Sequence, residues 1–232
     1  MVGGTGATGR LLVRALVERG RRALVIARNP QNLPADLREH GAVSVVAGTV
    51  LAMSEQQLVD LVSGCDSIAS CLGHSLSAKG MFGPPRRLVR DTLRCLCEAA
   101  EAPTRVVLRS SAGCRDRTIG ERVPFAQRAV VAAIRTLVPP HADNEAAMSY
   151  LQRDVGAEDG SIRWVIVRPD GLTNEEAVTR SSVHPSPTRS AIFNAGKTSR
   201  INVAGFMARL LCEDEAWAEW RGRAPVIYND ED

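Results

Sequence analysis

The sequence predicts an α/β fold in which a parallel sheet is doubly wound, with helices on both faces. Three observations carry this. Short runs of β-branched and apolar residues alternate with longer stretches whose apolar residues recur every 3.6 positions. The strand-like runs are apolar on both faces, as strands buried under two helical layers must be. A glycine-rich segment at the N-terminus runs directly into one of the amphipathic helices.

The elements follow in order. Residues 7–18 place Leu11, Leu12, Ala15 and Leu16 on one helical face and end near Gly20, a helix-stop residue. Residues 23–27 (ALVIA) form an apolar strand, and residues 43–47 a second. Ser54 opens a helix that turns Leu58, Leu61 and Val62 inward. Residues 67–72 form a third strand, followed by a Gly- and Pro-rich loop from Gly73 to Pro85. A helix over 86–100 buries Leu88, Val89, Leu93 and Leu96, and residues 105–108 form the fourth strand. Helices are expected over 125–137 and 143–155, separated by Pro139-Pro140, and then a strand over 164–167 ending in Arg168-Pro169. Beyond Asn174 come a loop, a helix over 202–212, the pair Trp217/Trp220 and a strand over 225–228. With 232 residues and no linker, the whole of 1–232 reads as one domain, with 173–232 its substrate-side lobe.

Composition removes several classes of function. Apolar residues are 44% and charged residues 24%, ordinary for a globular chain. A net charge of +3, with basic residues scattered and not interleaved with aromatics, argues against a nucleic-acid partner. No apolar run is long enough for a membrane span and no signal peptide precedes the first motif, so a cytoplasmic protein is expected, a monomer or homodimer. The six cysteines lack metal-ligand spacing and read as small buried hydrophobes, with no metal.

The strongest motif is Val2-Gly3-Gly4-Thr5-Gly6-Ala7-Thr8-Gly9. Gly4, Gly6 and Gly9 match G-x-G-x-x-G, and Gly3, Gly6 and Gly9 match a second spacing of the same kind. One glycine permits a tight strand-to-helix turn, one lets the backbone approach a diphosphate, and one allows close helix–strand packing. The free N–H groups of the following helix then face the phosphates. Gly3, Thr5, Gly6, Ala7, Thr8 and Gly9 are therefore assigned to a nicotinamide dinucleotide in a Rossmann-like fold. Dinucleotide sites for NAD place Asp or Glu at the end of the second strand of the usual fold, here residues 23–27. This chain has Arg28 there, which suits the 2′-phosphate of NADP if it is not merely a solvated surface arginine.

Further segments extend the pattern: Ala27-Arg28-Asn29-Pro30, Val45-Val46-Ala47-Gly48, Gly64-Cys65-Asp66, Cys71-Leu72-Gly73, Arg109-Ser110-Ser111-Ala112-Gly113 and Val167-Arg168-Pro169-Asp170-Gly171-Leu172. With the glycine turn they resemble the atypical short-chain dehydrogenase/reductases, in particular the NmrA-like and flavin-reductase-like branch, over residues 2 to about 173. The resemblance implies that Leu72 and Gly73 border the nicotinamide-side ribose, that Ser110 and Ser111 end a strand beside the nicotinamide, and that the segment of Pro169 and Leu172 closes over the ring. Three departures stand out. Thr49 follows Gly48 where the family carries an acid. The Tyr-x-x-x-Lys pair of the short-chain enzymes is absent. Only Met1 and Val2 precede the turn, so the first strand is expected to be truncated or replaced by another segment.

Three residues are candidates for chemistry. Tyr150 lies in the helix before the Arg168-Pro169 strand but has Asp154, not a lysine, four residues on. It is either a proton donor or a half-buried aromatic. His141, with Glu145 one helical turn later, is either a titratable acid in that place or a helix-start residue with Asp143 or Asn144 capping. Ser111 either hydrogen-bonds a substrate carbonyl or simply ends its strand. His74 is expected to face the cleft from its loop. Three functions fit: an NADP-dependent oxidoreductase acting on a small carbonyl, quinone or flavin-type acceptor; a non-catalytic NADP-binding regulator of NmrA type; or the fold reused for non-redox isomerisation or cyclisation.

Overall fold

The computed structural model describes residues 1–74, 77, 82–100, 103–121, 123–156 and 160–230, and six of the thirteen residues of the loop from Gly73 to Pro85 lie outside them. In chain order the elements are α1 (Ala7–Glu18), β1 (Ala23–Ala27), α2 (Ala35–Arg38), β2 (Val43–Ala47), α3 (Glu55–Val62), β3 (Ser67–Ser70), α4 (Leu88–Ala99) and β4 (Thr104–Arg109). There follow α5 (Phe125–Leu137), α6 (Pro139–Ser149), a π-helical stretch (Tyr150–Val155), β5 (Ile162–Pro169), β6 (Gly171–Thr173), β7 (Ser181–His184), β8 (Lys197–Ser199), α7 (Arg200–Cys212), α8 (Asp214–Trp220) and β9 (Val226–Asn229).

The local signals explain most of these boundaries. Gly20 takes φ +70° after α1, and the bonds Gly20 N–H to Val17 O (2.9 Å) and Arg21 N–H to Leu16 O (2.9 Å) close the helix as a Schellman turn. Ser54 and Gln57 form a capping box at the start of α3. The break expected at Pro139-Pro140 falls at Val138, which Pro139 holds out of helical geometry, and the two prolines then occupy the first turn of α6, where a missing N–H costs nothing. The helix expected over 143–155 therefore begins at Pro139, and its last part, from Tyr150, is π-helical and stops at Gly156 (φ +78°).

The first strand is reduced to a single residue. Val2 bridges in parallel to Ile26 of β1 and to Ser70 of β3. Its N–H donates to Ala69 O (3.0 Å), its carbonyl accepts from Cys71 N–H (3.0 Å), Ile26 N–H donates to Met1 O (3.0 Å), and the Met1 amine donates to Leu24 O. Through this bridge the strand order is β2-β1-Val2-β3-β4-β5-β9-β7. All pairings are parallel except β7 with β9. This is a Rossmann-like sheet. β3 ends at Ser70, two residues short of the expected 67–72, where its ladder with β4 ends at the Ser70–Leu108 pair.

Alternate strand residues feed two cores. Ile68, Val106, Trp164 and Ile166 face α3, α4 and α6 through Leu58, Val62, Val89, Leu93, Leu96 and Met148. Ala69, Val107, Val165 and Val167 face α1 and α7 through Leu12, Leu16, Val203, Met207 and Leu210. The region beyond residue 173, expected as a lobe, supplies α7 to the second core and β7 and β9 to the sheet. Trp220 stands edge-on to Phe206 (6.4 Å) in that core.

One buried ion pair fixes the loop after β4. Arg168, fully buried in β5, meets both carboxylate oxygens of Glu121 (2.9 and 3.1 Å) and donates to Cys114 O (3.0 Å) and Ala224 O (2.6 Å). A desolvated guanidinium needs such complete partnering, so the loop has little freedom where it passes the strand ends.

Candidate active site

The glycine turn is built by steric necessity. Gly3 has φ +74°, and a Cβ there would lie 2.4 Å from the carbonyl carbon of Cys71. A Cβ on Gly9 would lie 2.0 Å from Gly3 O, so α1 can only approach the turn without one. Gly6 differs: its φ of −76° suits any residue, and a Cβ there meets only Gly3 O at 3.3 Å. The space beyond Gly6 is the groove. No side chain caps the N-terminus of α1 and no acid sits in its first turn, so this end of the helix dipole presents N–H groups to an anion. Ala7 is exposed there, while Thr8 and Gly9 are buried against the sheet.

The groove, about 450 Å³, is lined by Gly3, Thr5 and Gly6 from the turn, Arg28 and Asn29 beyond β1, Gly48 and Thr49 beyond β2, and Leu72, Gly73 and His74 beyond β3. It therefore spans carboxyl ends of strands on both sides of Val2, the place where doubly wound folds bind ligands. Arg28 is exposed and, among the described residues, its guanidinium has no hydrogen bond or ion pair. The Arg109 guanidinium donates to Leu72 O (3.1 Å) and stands 3.2 Å from where a Gly73 Cβ would be. Arg109 thus shapes the Leu72–Gly73 border, a role its position in the sequence gave no sign of.

Beyond β4 the chain brings Ser111 and His141 together around Gly113. A Cβ on Gly113 would lie 3.4 Å from the His141 ring and 3.6 Å from Ser111 Oγ, which accepts from Gly113 N–H (3.2 Å). Glu145, one turn along α6, holds a carboxylate oxygen 3.7 Å from His141 Nε2, with both side chains largely buried. Gly113 and Glu145 line a cavity of about 760 Å³ that opens on this cluster.

His74 and Asp143 join the two regions. The Asp143 carboxylate, fully buried, lies 2.7 Å from His74 Nε2 and accepts from Val89 N–H (2.7 Å) and Arg90 N–H (3.1 Å), the open N-terminus of α4. Asp143 therefore caps not its own helix but α4, and ties it to the residue after Leu72–Gly73. Asp143→Ala should strand the buried Val89 N–H and the partly buried Arg90 N–H, remove the His74 contact, and cost about 3 kcal/mol. Thermal unfolding should fall by roughly 6–12 °C; a midpoint within 2 °C of the parent would show that the carboxylate is not a strut.

Other candidates lie elsewhere. Tyr150 is packed in the core against α4, and burial pushes its phenol well above the ordinary range. It lines none of the cavities described here. Ser110 is buried and donates its N–H to Val167 O (2.8 Å). Pro169, buried at the end of β5, accepts from Ala112 N–H (2.9 Å), and Leu172 lies half-buried in β6 against the second core. Burial raises the thiols of Cys71 to about 11 and of Cys114 to about 12, which makes both poor nucleophiles. Among the described residues, no group of three or more His, Cys, Asp or Glu could hold a metal, and no helix is long and apolar enough to cross a membrane.

Comparison with known proteins gives the family and the fold. A family model described as NAD(P)H-binding matches residues 3–214, and the chain belongs to that family. No curated protein matches its sequence. Among solved structures it is similar to the anaerobillin reductase ChuY from Escherichia coli (17% identity, TM-score 0.69, covering 100% of this chain and 96% of that one). It is also similar to a short-chain dehydrogenase/reductase from Veillonella parvula in complex with NADP (13%, 0.67, 98% and 92%). A third is the oxidoreductase ylbE from Lactococcus lactis (17%, 0.67, 100% and 92%). At these identities the likeness is one of fold.

Proposed function

We propose that the chain is an NADP-dependent oxidoreductase that reduces a small carbonyl, quinone or flavin-type acceptor. One observation carries the reading: a groove lies behind the glycine turn, and Ser111 and His141 pack around Gly113, which with Glu145 lines a second cavity. The cofactor fits the groove because Gly6 leaves open the space a Cβ would fill, next to uncapped N–H groups of α1. Gly3, Thr5, Gly6 and the first turn of α1, from Ala7 to Gly9, would hold the diphosphate, Arg28 the 2′-phosphate, and Leu72 and Gly73 the second ribose. Ser110, Pro169 and Leu172 support the nicotinamide end from behind. When bound, the reduced cofactor supplies a hydride to the acceptor. Ser111 orients the acceptor oxygen, and His141, oriented by Glu145, donates the proton that completes the reduction. Tyr150 has no part in this scheme because its ring is in the core.

The coarse test is steady-state NADPH oxidation against a panel of quinones, flavins and small carbonyls. Turnover with at least one supports the reading; tight NADPH binding with none favours the NmrA-like regulator, and product formed without cofactor favours non-redox chemistry. The regulator alternative draws on the absent Tyr-x-x-x-Lys pair. The same reading has a cytoplasmic protein, monomeric or homodimeric, and the six free thiols suit a reducing compartment. NADP preference rests on Arg28. Arg28→Glu should weaken NADPH binding by about 10- to 150-fold, the worth of a charge-assisted contact of roughly 1.5–3 kcal/mol, and leave NADH nearly unchanged. Equal affinity of the parent protein for both cofactors would remove this assignment.

A further inference from the structure

The cavity of about 760 Å³ has an unusual wall. Arg115 and Arg117, from the loop after β4, line it on one side, and Arg189, from the segment between β7 and β8, lines it on another. Val123, Pro124 and Val131 supply apolar surface. Arg115 and Arg117 also line the adjoining cavity of about 440 Å³, where Arg153 joins them.

The described acids nearby are hydrogen-bonded to other groups and form no ion pair with Arg115 or Arg117. Glu121 gives both carboxylate oxygens to Arg168 and accepts from Asp116 N–H (2.9 Å). Asp116 is buried and accepts from Thr118 Oγ1 (2.6 Å) and Gln152 Nε2 (2.8 Å). Glu145 faces His141. Asp170, which accepts from Gly196 N–H (2.8 Å), draws on Arg189. Arg115 donates its Nε–H to Glu121 O (2.7 Å), leaving the fork of its terminal nitrogens. Arg117 is exposed and, among the described residues, makes no side-chain hydrogen bond or ion pair. Among the described residues, two guanidinium groups thus stand at the wall of a partly apolar cavity with no ion pair to an acid.

We propose that this cavity takes an acceptor with an apolar body and an oxyanion group, a carboxylate or phosphate, seated on Arg115 and Arg117 with the body against Val123, Pro124 and Val131. Planar guanidinium forks match such oxygens in pairs. The anion fixes one end of the acceptor, so that its reducible end meets Ser111 and His141. The proposal rests on the oxidoreductase reading for that last step, but the binding itself does not.

The test is calorimetric and needs no turnover. 2-Naphthoate, 2-naphthyl phosphate and neutral 2-naphthamide are titrated into the full chain at fixed ionic strength, with and without NADP. At least one of the two anions should bind about 10-fold or more tightly than the amide, and whichever does so names the group. Arg117→Gln should remove that preference with an unchanged melting temperature, and Arg117→Lys should restore part of it. Equal affinities, tighter binding of the amide, no binding of any probe, or a preference that survives in both Arg115→Gln and Arg117→Gln would each overturn the proposal. Anion binding by a protein that fails to oxidise NADPH with every acceptor of the panel counts against the oxidoreductase reading alone.

Discussion

Gly6→Val is expected to abolish nucleotide binding while leaving the protein folded, and Gly9→Val to damage both. The two positions belong to one motif but meet different surroundings. At Gly6 the backbone is already in a conformation open to any residue, and the only atom near an added Cβ is Gly3 O, 3.3 Å away. The remaining branches project into the groove where a diphosphate must come close to the chain. Loss of affinity should exceed about 100-fold, or roughly 2.7 kcal/mol, read by calorimetry with NADPH, with an unchanged circular-dichroism spectrum. At Gly9 an added Cβ falls 2.0 Å from Gly3 O and 2.9 Å from Gly4 Cα, with no flexible side chain to give way. The turn must open, at a cost of about 1–3 kcal/mol or more, and unfolding should begin at a lower temperature. Undiminished NADPH affinity in Gly6→Val would put the nucleotide somewhere else.

His141→Ala should lower turnover on a verified acceptor by about 10²- to 10⁴-fold, the usual worth of a positioned general acid. The ring lies near Gly113 and Glu145, which line the larger cavity, while the glycine turn and Arg28 line the other groove. NADPH affinity should therefore change little. The alkaline limb of the rate profile should disappear with the imidazole, and Glu145→Gln should lower turnover less. Tyr150→Phe should be silent, because that ring is packed under α4. Full activity in His141→Ala would assign the proton to solvent, as the flavin-reductase-like resemblance allows.

The sheet and most helices were legible because each is a run long enough to show a period. The apolar runs at 23–27 and 43–47 became strands within the same bounds, and the helix at 7–18 likewise. What escaped was short or distant. A strand of one residue has no period, so the sequence offered nothing to say that Val2 would join two neighbours. Pro139-Pro140 reads as a break wherever it falls, and only the geometry shows that both residues occupy a first turn. β6, β7 and β8 are three or four residues long and carry no alternation to find. Asp143 was read as a cap, but the helix it caps begins more than fifty residues earlier. Its pairing with His74, and the position of Arg109 over Leu72, depend on contacts between strand ends that no local pattern encodes.

The single residue at the middle of the sheet gives the ligand groove a mechanical meaning. β1 and β2 form one plate, and β3 onwards the other. Across the seam between them run the bonds of Met1 and Val2, and α1 straddles it, sending Val13 to one plate and Leu12 and Leu16 to the other. The groove crosses the same seam, with Arg28 and Gly48 on one bank and Leu72 and Gly73 on the other. On the proposed reading, a nucleotide lying there would be a clasp as well as a reagent, and the free energy of its binding would add to the resistance of the sheet to parting along that line.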